Sequence, residues 1–207
     1  MNNISIVAGG RLQVSLLEAI RTSDYIIGVD RGAFWLISNN IIPDIAIGDF
    51  DSVTASELQI IKKKAKRVDK YSKKKDFTDM ELAVEYAITL RPKEVVIYGA
   101  IGNRIDHTMG NIHLLERLQG IGVIRDRNNE VRIISGHTTV RKKPRYPYVS
   151  LLPITETIEI SLTGFVYNAS HALIRRGQTL GISNELRQNE GVIEIHEGKA
   201  FVIQSRD

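Results

Sequence analysis

Along the first 125 residues the apolar positions alternate between two rhythms. Short runs at Ile4 to Val7, Tyr25 to Val29, Ile45 to Ile47, Glu94 to Tyr98 and Ile121 to Ile124 have the length and β-branched content of buried strands. Between them lie stripes at helical spacing: Leu12, Leu16, Leu17 and Ile20; Ala33, Leu36 and Ile37; Leu58 and Ile61; Met80, Ala83, Val84, Ala87 and Ile88; Met109, Ile112, Leu115 and Leu118. Thr54 with Glu57, and Thr78 with Glu81, have the spacing of capping boxes that open two of these helices. Strand followed by helix, repeated, predicts an α/β domain with a Rossmann-like open, mostly parallel sheet.

After a polar break at Arg125-Asp126-Arg127-Asn128-Asn129 the rhythm changes. Val131 to Ile134, Tyr148 to Leu152, Thr157 to Ile160, Val192 to Ile195 and Ala200 to Ile203 are short strand-like runs divided by turn residues, with no helical stripe between them. That pattern predicts an all-β sandwich or small barrel. The expected division is an α/β domain over residues 1–125 and an all-β domain over 126–207, with no internal repeat.

Composition narrows the chemistry. A chain of 207 residues without a single Cys excludes thiolate catalysis, Cys-based zinc sites and a disulfide framework. At this length it buries roughly 70% of its unfolded surface unaided. The N-terminus has no leader-like pattern and no apolar run is long enough to cross a membrane, so a cytoplasmic protein is expected. The net charge of +4 invites a nucleic-acid reading, but much of the excess sits in Lys62 to Lys75, which reads as the solvated face of a helix end and its loop. Its far end, Lys73 to Lys75, could steer a polyphosphate. Few aromatics interleave with it, which argues against base stacking.

The chemistry gathers at strand ends. Gly48-Asp49-Phe50-Asp51-Ser52 follows a buried run, and alternation on an extended chain would send both acids to one side. Two carboxylates about 4 Å apart repel by roughly 4 kcal/mol at an effective dielectric near 20, so they call for a cation, a proton or solvent between them. Hard oxygen donors suit Mg²⁺; a solvated turn with bonds to backbone amides is the competing explanation. Asp30, Asp76, Asp79 and Asp106 also fall after predicted strands, near the next helix start. In an open α/β sheet ligands bind there. Asp79, in a first helical turn, is equally explained by the helix dipole. The loop Gly99-Ala100-Ile101-Gly102-Asn103-Arg104-Ile105-Asp106-His107 brings glycines and Arg104 to the same end, but lacks the Gly-Lys-Ser/Thr of a Walker loop. His107 and His113 are out of phase as shared ligands and read as surface or helix-end residues. An acid cluster with Mg²⁺ and basic residues suggests phosphoryl-type transfer, which needs positioning and charge neutralisation more than a covalent nucleophile.

Four segments in order, Gly48-Asp49-Phe50-Asp51-Ser52, Lys75-Asp76-Phe77-Thr78-Asp79, Gly102-Asn103-Arg104-Ile105-Asp106-His107 and Gly181-Ile182-Ser183-Asn184-Glu185, closely resemble the motif series of the thiamine pyrophosphokinase family. The resemblance covers nearly the whole chain. It implies an α/β domain followed by a β-sandwich that binds thiamine and dimerises, a homodimer with the thiamine site between subunits, and Mg²⁺-dependent transfer of the terminal diphosphate of ATP to thiamine. By position it implies Asp49, Asp51 and Asp79 as metal ligands, with Asp76 and Asp106 in the same acidic set and Arg104 facing phosphate. Asp30, Lys75, Gly102 and Arg104 are expected on the nucleotide side, Ser183 and Asn184 at thiamine. Two departures stand out: Asp30-Arg31-Gly32 where the family usually has Asp-Gly-Gly, and Tyr167-Asn168 where Tyr-Pro is common. If the second position of the first needs a positive φ, Arg31 would be strained. Competing readings are another Mg²⁺-dependent phosphoryl or nucleotidyl transferase, a non-catalytic thiamine or nucleotide sensor, and, last, a nucleic-acid-binding protein.

Overall fold

The computed structural model describes residues 2–72 and 76–207; Lys73, Lys74 and Lys75 lie outside the described residues. The chain forms two compact units, Met1–Arg127 and Asn128–Asp207.

Among the described residues the first unit is built on six strands: β1 (Asn3–Val7), β2 (Tyr25–Val29), β3 (Ile45–Gly48), β4 (Val68–Lys70), β5 (Glu94–Tyr98) and β6 (Gly122–Arg125). They lie in the order β6-β5-β1-β2-β3-β4, and every described pairing is parallel. Parallel strands with helical crossovers are covered on both faces, which is why their sequences read as continuous apolar runs. Val7, Ile26, Val96, Tyr98 and Val123 enter one core with Leu16, Ile20 and Leu36. Ala46 packs with Ala33, Ile37, Phe50 and Ile61 in another.

The crossover helices are α1 (Leu17–Arg21), α2 (Arg31–Ser38), α3 (Ala55–Lys64), α4 (Asp79–Thr89) and α5 (Ile105–His113). Both predicted caps appear at helix starts. At α3 the box is complete: Thr54 accepts from the Glu57 amide at 3.3 Å and the Glu57 carboxylate accepts from the Thr54 amide at 2.7 Å. At α4 only half forms: Thr78 accepts from the Glu81 amide, while the Glu81 carboxylate faces Arg117 at 3.8 Å. Thr54→Ala is therefore expected to lower stability by about 1 kcal/mol, read as a shifted urea midpoint; an unchanged midpoint would show the cap to be replaced by solvent.

Two expectations for this unit need correction. The stripe from Leu12 to Ile20 makes only a 3-10 turn, Val14–Leu16, and the five-residue α1; Leu12 lies before the helix and packs, partly buried, against the core. The basic run also contains strand β4, paired with β3 at the sheet edge.

The second unit is antiparallel. Its strands are β7 (Asn129–Arg141), β8 (Tyr148–Pro153), β9 (Thr157–Thr163), β10 (Ala169–Arg175), β11 (Asn184–Glu185) and β12 (Glu190–Ser205). The runs at 192–195 and 200–203 are a single strand, β12, which pairs with β7 on both sides of a register shift between Ile195 and Ala200. On its other side, the first half of β12 pairs with β9 and the second half with β8. One long strand thus carries two branches, whose inward residues Val149, Leu151, Ile158, Ile160 and Ile174 share a core with Ile193, Ile195 and Val202.

Candidate active site

The sheet order reverses at β1, with β2 on one side and β5 on the other. Chains leaving neighbouring strands there turn apart and open a crevice at their carboxyl ends. The loops are drawn together at its floor: Gly10 donates to the Gly99 carbonyl at 2.9 Å and Arg11 to the Ile101 carbonyl at 2.7 Å. A Cβ on Gly10 would stand 2.3 Å from the Gly99 oxygen, so only glycine allows this approach. Above it lies a cleft of about 650 Å³ with Gly9, Gly10, Asp30, Asp49, Asp79 and Arg104 in its wall.

The acids reach the cleft from three elements. Asp30 leaves β2 at φ 46 and stands as N-cap of α2. Its amide donates to the Ile47 carbonyl at 3.0 Å, and its Oδ1 accepts from the Phe50 amide at 3.0 Å, tying the loops after β2 and β3 together. Phe50, at φ 61, buries its ring in the core below. Asp49 accepts from the Asp51 amide at 2.9 Å, a local turn that fixes its carboxylate. Asp79 opens α4. Asp30, Asp49 and Asp79 each offer a carboxylate oxygen within 4.8 Å of the others, and all three are half-buried.

Three carboxylates this close, partly withdrawn from water, favour a proton or a cation among them. Burial, then the charge of Asp79, pushes Asp30 up to about 7 from 3.8, against the bond from Phe50. This donor set, all hard oxygen, fits a divalent cation of the Mg²⁺ class. With the folded value above the unfolded one, the contribution of Asp30 to the stability of metal-free protein is fully present below pH 3.8 and is lost as pH rises through about 7. A bound cation competes with that proton. Thermal unfolding is therefore expected to show little Mg²⁺ stabilisation at pH 5 and clearly more at pH 8; equal shifts at both would contradict competition at this cluster.

The structure separates the other sequence candidates. Asp51 is exposed and lines the cleft, outside the close trio. Asp76 is exposed and is not part of the cleft wall. Asp106 is held by Arg104 through two bonds, of 2.6 and 3.2 Å. That pairing, helped by the His107 amide, lowers Asp106 to about 2. Gly102 lines the cleft and donates to Thr108 Oγ1 at 3.1 Å. Lys75 lies outside the described residues. Arg31 is not strained: it starts α2, and Asp30 before it carries the positive φ.

In the second unit Ser183, at φ 59, donates its amide to Ser150 Oγ at 3.0 Å. The Asn184 side chain accepts from the Tyr167 amide at 3.1 Å and donates to its carbonyl at 2.8 Å. This amide braces its neighbour, and the turn that sequence suggested becomes strand β11 at Asn184. Sequence reasoning passed over Gly9, Gly10, His107 and Asn111 as cleft residues. A Gly pair at the end of the first strand was the available signal for two of them.

Residues 16–124 match the model for "Thiamin pyrophosphokinase, catalytic domain" and residues 137–200 that for "Thiamin pyrophosphokinase, vitamin B1 binding domain". A thiamine pyrophosphokinase of Bacillus subtilis is 36% identical over 214 residues, covering 100% of both chains. The solved structure of the Bacillus subtilis enzyme superposes with a TM-score of 0.90 at 35% identity, covering 100% of each chain. One from Geobacillus thermodenitrificans gives 0.89 at 36% identity, covering 99% of this chain and 98% of that one. With the fold, the acid-lined cleft and both family models in agreement, this chain belongs to the thiamine pyrophosphokinase family.

Proposed function

We propose that this protein transfers the diphosphate of ATP to the hydroxyl of thiamine, giving thiamine diphosphate and AMP. The observation that carries the reading is the half-buried trio Asp30, Asp49 and Asp79 in the wall of a glycine-floored cleft, in a chain of this family.

Asp49 and Asp79, with Asp30 beside them and Asp51 at the rim, would hold Mg²⁺. Bound there, the metal would offset phosphate charge and polarise phosphoryl oxygens. The thiamine oxygen forms a bond to the β-phosphorus while the bond from that phosphorus to the α–β bridging oxygen breaks, and AMP leaves with that oxygen. Such a loose reaction asks for alignment more than for a strong base, and the hydroxyl proton is lost to solvent. Gly10 and Gly102 let backbone approach the polyphosphate. Arg104, oriented by Asp106, supplies a planar fork of donors to a phosphate. Asp76 and Lys75 are assigned to the same anionic region from their motif.

The second unit, read as a β-sandwich, presents Ser183 and Asn184 toward thiamine; the proposed assembly is a homodimer in which that loop serves the cleft of the other copy. The ATP requirement fits a cytoplasmic setting. Incubation with ATP labelled in the β-phosphate tests the reading. Label in thiamine diphosphate, beside unlabelled AMP, is expected. Labelled ADP with thiamine monophosphate would contradict it, and thiamine binding without turnover would leave a sensor.

A further inference from the structure

Two arginines line the cleft, and they differ in what already holds them. Arg104 is clasped by Asp106 through both Nε and Nη2, so much of its charge is answered within the protein. Arg31 is exposed, lines the same cleft, and its guanidinium has no hydrogen bond or ion pair among the described residues. Its charge also helps lower the Glu57 carboxyl, behind the bond from the Thr54 amide.

Its base is rigid. Gly32, the next residue, packs so closely on β1 that a Cβ there would stand 2.0 Å from the Val7 carbonyl oxygen. A Cβ on Gly9 would meet the Arg31 Cβ at 3.1 Å, so the loop after β1 leaves room for the arginine stem. Asp30, immediately before it, belongs to the acid trio. Arg31 is thus a cation fixed beside the cluster with its donors open.

We propose that Arg31 binds the polyphosphate of the nucleotide beside the acid trio. The assignment rests on the diphosphate-transfer reading. Charge decides which substrate it meets: a nucleoside triphosphate stays anionic after one divalent cation is bound, whereas thiamine carries a cationic ring that a guanidinium repels. A guanidinium can engage two phosphate oxygens with parallel donors, which an ammonium cannot.

The test is steady-state kinetics of wild type, Arg31→Lys and Arg31→Gln with ATP and thiamine varied separately, joined by calorimetric titration with a non-hydrolysable ATP analogue in the presence of Mg²⁺. For Arg31→Gln the KM for ATP and the analogue Kd are expected to rise on the order of tenfold, with the KM for thiamine within about twofold and an unchanged Tm. Arg31→Lys is expected to recover part of the loss. An unchanged analogue Kd and KM for ATP in Arg31→Gln, with wild type active, overturns the assignment alone. A rise in the thiamine KM without one for ATP also overturns it. A wild type that makes no thiamine diphosphate would overturn the parent reading instead.

Discussion

Asp49→Asn is expected to lower kcat on the order of a thousandfold while leaving the fold in place, because the loss of one anionic ligand weakens charge neutralisation at the reacting phosphates by several kcal/mol. The amide retains an oxygen at the position that accepts the Asp51 amide, so the turn after β3 survives. Circular dichroism and Tm matching wild type, with turnover gone, is the expected pair of results. Asp76→Asn is the comparison: its side chain is exposed and off the cleft wall, and it is expected to cost far less. Near-normal turnover in Asp49→Asn would remove the trio from the mechanism.

Gly48→Ala is expected to damage the same cluster through backbone geometry. Gly48 sits at φ 152, and an added Cβ would stand 2.0 Å from Asp30 Oδ1, the atom that accepts the Phe50 amide. Either the carboxylate swings away and leaves that amide unpaired, or the β3 loop shifts. Both routes are costly: strain of this kind typically takes about 1–3 kcal/mol. A lower Tm, at least about tenfold lower activity and weakened Mg²⁺ stabilisation should appear together. At Gly102 a Cβ would meet nothing closer than the Gly10 Cα at 3.6 Å. Gly102→Ala should therefore keep its Tm, and equal destabilisation of the two variants would contradict the steric account.

These effects mark where the sequence was legible. The buried strands and the Thr54 box carry their signal within a few residues, in apolar runs and in a cap spaced for reciprocal bonds, so they could be read directly. The acid loops could be placed at strand ends for the same reason. Which acids meet is a tertiary matter. Alternation treats residues 49 to 51 as extended chain, but Phe50 at φ 61 and the bond from the Asp51 amide to Asp49 bend it, and Asp30 from the neighbouring strand joins Asp49 and Asp79 instead. In the second unit, His196-Glu197-Gly198-Lys199 reads as a turn between strands. Pairing with β7 on both sides of a register shift carries β12 through it, with Gly198 at φ 88. β10 escaped notice because it is an edge strand, mostly exposed and bulged around His171 at φ 48, so no apolar alternation marks it.

The central claim is that Asp30, Asp49 and Asp79 together hold the divalent cation on which diphosphate transfer depends. Its most direct test is a Mn²⁺ titration followed by electron paramagnetic resonance, comparing wild type with Asp30→Asn, Asp49→Asn and Asp79→Asn at pH 8, with and without ATP. Saturable binding in wild type, strengthened by ATP and weakened at least about tenfold in each of the three variants, is the predicted result. Wild-type Mn²⁺ affinity in all three variants would contradict it.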